Sequence, residues 1–217
     1  MSYTLPDGSK LSIAATFGPV VAMTALSNAL EAIGTVAAGA ALATGDIVIV
    51  TAPGWLKLNQ RVARIKNFNA GAVTLEGIDT SSTDKFPAGS GVGSLQKVLT
   101  WQQIPQVTAF ESSGGDQNFA TVEFLDDDQQ RQVPTTKSPQ TLSITAADDP
   151  ASPHGDVLSA ADEARAIRPL QLALPSGPKI FYNGYVSYNA TPTLTKGNIM
   201  TTKASLALVS RPTRYQT

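Results

Sequence analysis

One histidine, no cysteine and a scatter of carboxylates are this chain's whole stock of groups for acid, base, nucleophile or metal chemistry. A Ser-His-Asp triad or a multi-histidine metal site would have to be built around His154. That residue precedes Gly155 and Asp156 where a helix is expected to begin, and it reads as a solvated first-turn side chain. The triplet Asp126-Asp127-Asp128 offers carboxylates to a hard cation such as calcium, yet it lacks the spaced ligands and the glycine of an EF-hand loop, and reads as a hairpin tip. Gly89-Ser-Gly-Val-Gly has neither the dinucleotide spacing nor a following Gly-Lys-Ser or Gly-Lys-Thr, so it reads as linker. Glu111, Asp116 and Glu123 could meet as paired catalytic carboxylates, but no spacing singles them out. Trp55, Trp101, Tyr182, Tyr185 and Tyr188 could form a sugar-stacking platform, which is the basis of an alternative reading as a carbohydrate-binding or adhesin-like β-protein. Core or interface packing is the commoner use of such rings. Without cysteine, thiol nucleophiles, thiolate metal sites and disulfides are excluded. No catalytic residue, no cofactor and no metal is expected.

The elements that would position these groups are mostly strands. Ile180, Tyr182, Val186, Tyr188 and Ala190 alternate with more polar residues, as a strand with one core face requires. After a turn around Pro192 and Gly197 the alternation returns, with Met200, Ala204, Leu206 and Leu208 on one side and Thr201, Lys203 and Ser205 on the other. Upstream, strands are predicted at 98–110, 119–125, 130–135 and 141–147, joined by hairpin turns. One helix is predicted between Pro153 and Ile167, with Ser152 as N-cap, Pro153 at the first helical position, Val157, Ala160, Ala161, Ala164 and Ile167 on a shared face, and Pro169 as its stop. Near the N-terminus a strand over 10–15 is followed by a break at Gly18-Pro19. Short strands at 22–26, 34–38, 47–50, 61–66 and 72–76 then suggest a small β-barrel. Alanine and leucine make helix the competing reading over 25–43, but Gly34, Gly39 and Gly45 favour strands. Residues 80–94 read as a return linker.

The 217 residues, 42% of them hydrophobic, suffice for a packed core. Only 15% are charged, against roughly 25% in typical soluble domains. Such a surface suits a subunit flanked by copies of itself, or a monomer clothed in Thr, Ser, Gln and Asn. A net charge of −1 supplies no field to gather nucleic acid. No signal-peptide order and no apolar run near the roughly 18 residues of a membrane helix is present, so a protein cytosolic when made and free of membrane is expected.

The segments Phe181-Tyr-Asn-Gly-Tyr-Val-Ser-Tyr-Asn and Leu208-Val-Ser-Arg-Pro-Thr-Arg-Tyr resemble the carboxyl end of phage tail tube proteins of long, non-contractile tails. The resemblance runs upstream through Phe124-Leu-Asp-Asp-Asp-Gln-Gln-Arg-Gln-Val-Pro, Leu142-Ser-Ile-Thr-Ala-Ala-Asp-Asp-Pro and Leu170-Gln-Leu-Ala-Leu-Pro, and so covers roughly residues 95–217. Thr24-Ala-Leu-Ser-Asn-Ala, Gly45-Asp-Ile-Val, Leu58-Asn-Gln-Arg-Val and Val73-Thr-Leu-Glu-Gly-Ile-Asp-Thr are similar to a β-module inserted in phage tail proteins. The resemblance implies a mainly β protein: a tail-tube β-sandwich with one flanking α-helix, formed by 1–19 and 95–217, plus an inserted small β-barrel-like module, 20–94. It implies homohexameric rings stacked into a tube, with tape measure, tail terminator and distal tail proteins as partners and DNA passing through the lumen without sequence-specific binding. The expected place is the virion tail. Two loops are the candidates for contact between subunits or rings: Asp126, Asp127, Asp128, Gln129 and Gln130 in one, and Ser112, Asp116 and Gln117 in the other.

Overall fold

A computed structural model describes residues 7–125 and 128–216. Among the described residues, fourteen strands and one helix follow in the order β1 Lys10–Leu26, β2 Ile33–Val36, β3 Ile47–Thr51, β4 Arg61–Asn69, β5 Ala72–Leu75, β6 Gly93–Ile104, β7 Val107–Gly114, β8 Gln117–Val122, β9 Arg131–Lys137, β10 Gln140–Ala147, α1 His154–Glu163, β11 Ile167–Ala173, β12 Lys179–Thr193, β13 Thr201–Leu208 and β14 Thr213–Tyr215. The mainly β fold with a single helix is as the sequence pattern implies.

The long strands β1 and β6 pair over most of their length and belong to two cores at once. At one end they join β3, β4, β5 and β2 in the cyclic order β1-β2-β5-β4-β3-β6, a closed small barrel. Its interior holds Trp55, Val48, Val50, Leu58, Ile65 and Leu75. At the other end the sheet continues β6-β1-β11-β12-β13-β10-β7. Inner faces of all seven strands contribute to one hydrophobic cluster, among them Ile13, Ile104, Leu142, Leu170, Val186, Leu206 and the partly buried Phe110. The sheet therefore curls back over itself as a sandwich, and α1 flanks it through Leu158 and Ala161.

Several expectations need correction. Gly18-Pro19 does not end a strand: β1 runs through it, and the ladder slips between Phe17 and Val20. A bulge lets proline, which has no N–H to give, sit outside the ladder. The predicted strand 98–110 is two strands turning at Pro105-Gln106, where Gln106 has φ 52°. Residues 80–94 are no free linker. Thr80 is fully buried, Phe86 packs into the small barrel, and the Asn28 amide donates to the carbonyls of Thr80 (2.9 Å) and Phe86 (2.8 Å). The helix is shorter than predicted: Pro153 is its N-cap without a side-chain cap bond, and it ends at Ala164, ahead of Arg165 at φ 47°. Pro169 instead lies in β11, paired with Asn183. The buried helix positions are His154, Leu158 and Ala161, spaced by four and three residues; of the face expected from the sequence, Ala161 is buried and Val157 partly so, while Ala160 and Ala164 are exposed.

Candidate assembly surface

Strands β8 and β9 pair only with each other and form a two-stranded ribbon apart from the large sheet. No residue of either strand is buried. Phe119 is 57% exposed, Val133 50%, Phe124 53% and Leu125 fully so. Phe119 stands opposite Pro134 and Ala120 opposite Val133, so the ribbon shows apolar side chains on both faces. An isolated hairpin of this kind is marginal in water, and an exposed apolar ribbon marks a contact surface.

The candidate contact residues fall at opposite ends of this arm. At its base, Ser112 Oγ on β7 accepts from the Gln140 amide (2.9 Å), the Asp116 carbonyl accepts from Ser138 N–H (2.8 Å), and the Gln117 amide donates to the Thr135 carbonyl (2.8 Å). The first lies in the β7–β10 pair, the last within the arm, and the Asp116–Ser138 bond closes the short connections between the two. At its tip, Asp128, Gln129 and Gln130 are exposed, and the Gln130 amide donates to the Glu123 carboxylate. Asp126 and Asp127 lie outside the described residues. The two loops are thus not brought together; a ribbon of six to seven residues per strand, roughly 20 Å long, separates them. A second apolar projection is Leu194 (70% exposed), Ile199 (73%) and Met200 in the β12–β13 turn; Met200, expected on the core side with Ala204 and Leu206, is exposed instead because β13 begins only after it. Its only sequence signal is large apolar residues inside a segment otherwise rich in turn formers.

The groups considered for chemistry are dispersed or structural. Among the described residues no three His, Asp or Glu side chains are grouped to hold a metal ion. Trp55 is fully buried and Trp101 packs on Phe181 with ring centroids 5.9 Å apart, so these two tryptophans form no open sugar platform. Gly91, in the glycine-rich loop, lies where a Cβ would come within 2.8 Å of the Trp55 ring, so that loop serves packing.

His154 is buried, contrary to the solvated first-turn reading, and its Nδ1 shares a 2.7 Å hydrogen bond with Ser152 Oγ. It lines a small cavity together with Leu158, Tyr188 and Thr202. Burial outweighs the nearby Asp149 and Asp148 carboxylates and pushes the imidazole below its ordinary value. The unfolded chain takes up a proton near pH 6.5, at roughly the ordinary histidine value, while the folded chain stays neutral. The stability this gives is therefore present above that pH and is lost as pH falls toward and through the lower folded value. A urea-denaturation series across this range is expected to show a shallower acid decline for His154→Gln than for the wild type; an unchanged slope would assign the decline to other groups.

A seam joins the two cores on the far side of β12. Phe181 packs with Val62 and Tyr215, and the Asn183 amide donates to the Gln60 carbonyl (2.6 Å), whose residue has φ 59°. Tyr215 Oη accepts from Arg64 N–H (2.9 Å) and donates to the Glu76 carbonyl (3.2 Å), while the Arg64 guanidinium lies 4.7 Å above its ring and pairs in a fork with the Glu76 carboxylate (2.5 and 2.6 Å). That pairing holds the Glu76 carboxyl below its ordinary range. Short β14 thus ties β12 to the small barrel. With three residues, it was too brief for alternation to reveal.

The model of the family described as phage tail tube protein, TTP, matches residues 53–217. The chain belongs to this family. It is a structural phage tail protein, and its family match includes the arm, the seam and much of the small barrel. Solved structures similar to this tail tube family member include the cryo-EM structure of the tube-terminating cap of an anti-feeding prophage, 17% identical, covering 53% of this chain and 83% of that one, with a TM-score of 0.35. No curated protein matches its sequence significantly. No helix of the described residues is long and apolar enough to cross a membrane.

Proposed function

We propose that the chain is the repeating subunit of a long, non-contractile tail tube, six copies to a ring, with rings stacked around a bore that conducts genomic DNA. The observation that carries this reading is the β8–β9 arm: a ribbon with no buried residue and apolar side chains on both faces needs neighbouring subunits to cover it. Residues 128–130 at its tip, with Asp126 and Asp127, would reach a neighbouring subunit or ring, and Ser112, Asp116 and Gln117 would hold its base. The low charge fits flanks covered by copies. In this reading 1–19 and 95–217 form the tube unit, and 20–94 forms a module on the tube exterior, since an extra barrel in the bore would block DNA. Tape measure, tail terminator and distal tail proteins are the partners at the tube's core and ends, and the subunit waits in the host cytoplasm before assembly.

Electron microscopy of the purified protein at high concentration is expected to show hollow tubes or six-fold rings. A monomer at every concentration by sedimentation, with no rings in the images, would overturn the reading.

A further inference from the structure

The outer face of β13, β10 and β7 lies across the second core from β1 and β6, the strands that carry the small barrel. Side chains alternate along these strands, so the residues between the core positions Leu142, Ile144, Ala204 and Leu206 point outward. The registers align them in rows. One row crosses four strands as Ser187, Ser205, Ser143 and Glu111; in the next, Lys203 stands beside Thr145. The face is short hydroxyls, with one carboxylate and one ammonium that cancel.

Its composition differs from the rest of the surface. Among the described residues the exposed large apolar side chains lie on the arm, the β12–β13 turn, the β1–β6 ladder, the small barrel and the segment after β13; Tyr185, at the margin on β12, is the exception. A face for protein contact would carry such anchors. A face that holds nucleic acid would carry clustered arginine and lysine, each neutralised phosphate adding adhesion. This one has no cluster of cations, and its one large apolar side chain is Tyr185 at the β12 margin.

We infer that this hydroxyl face is the wall of the bore, shaped for duplex DNA to slide past without adhering. The inference rests on the tube reading and assigns the strands that reading leaves open.

The chain has no cysteine, so Ser205→Cys and Ser143→Cys each install a single thiol with little change of volume. Tubes of each variant would be treated with biotin-maleimide, washed, and offered streptavidin before and after dissociation. The expected result is biotin incorporation into intact tubes, with streptavidin capture only after dissociation, because streptavidin is too bulky to enter the bore. Streptavidin bound along intact tubes would place the face outside. Labelling of the free subunit but not of tubes, or loss of tubes in both variants while the wild type assembles, would place it in a subunit interface. Either result overturns the inference and leaves the tube reading standing; absence of tubes from the wild type overturns the tube reading itself.

Discussion

Trp55→Ala is expected to remove about 3–5 kcal/mol of stability, the cost of emptying a large, fully packed aromatic site. The indole has no exposed surface. It meets Phe86 edge-on at 5.3 Å between centroids, its Nε1 donates to the Pro87 carbonyl (2.9 Å), and its own carbonyl accepts from Leu58 and Asn59. Truncation leaves a cavity and a carbonyl stripped of its donor, and the barrel around it cannot collapse far because it is closed. Trp55→Phe separates the two effects: most of the volume stays, and the lost hydrogen bond alone is expected to cost about 1–3 kcal/mol. Because β1 and β6 supply residues to both cores, the loss is expected to move one cooperative urea transition, seen at the same midpoint by near- and far-ultraviolet circular dichroism. A loss under about 1 kcal/mol, or two separated transitions in the alanine variant, would contradict this account.

The second large effect is on assembly. Phe119→Thr combined with Leu125→Ser is expected to leave the free subunit's stability within about 0.5 kcal/mol of wild type, since neither side chain is buried in it. Threonine keeps the strand preference at position 119. If the arm is covered by neighbours in the tube, burying these two side chains contributes about 1.5–3 kcal/mol each, and every 1.4 kcal/mol is roughly tenfold in the concentration needed to assemble. The variant should therefore need at least about a hundredfold more protein to form tubes. Denaturation of the free subunit and sedimentation of the assembled fraction measure the two quantities independently. Tubes at the wild-type concentration would remove the arm from the assembly surface.

The contrast between these residues shows what the sequence could disclose. Strands β10 and β13 were legible because Leu142, Ile144 and Ala146, and Ala204 and Leu206, alternate with polar residues against one core. The arm has apolar side chains on both faces and nothing in the subunit covers either, so no one-sided pattern marks it. Gly18-Pro19 looked like a stop because both residues commonly punctuate strands, whereas the long β6 partner holds the ladder together on either side of the bulge. The helix lies where its pattern puts it, and Ala161 of the expected face is buried, but His154 and Leu158 complete that face in place of Ala160 and Ala164 because the helix packs chiefly on β12. A lone histidine next to Gly155 carries no local sign of burial. In the sequence the two contact loops stand apart, and only the β8–β9 pairing shows that they are the root and the end of one ribbon.

The passage of β1 and β6 through both cores has a mechanical consequence. A module hung on flexible linkers swivels, and a single proteolytic cut can release it. Here two hydrogen-bonded strands form the connection, and β14 braces it from the side. Bending one core against the other means shearing a ladder and breaking the Arg64–Glu76–Tyr215 cluster together. The subunit therefore behaves as one stiff lever: torque applied to the small barrel is delivered to the strands of the second core, and is not dissipated in a hinge.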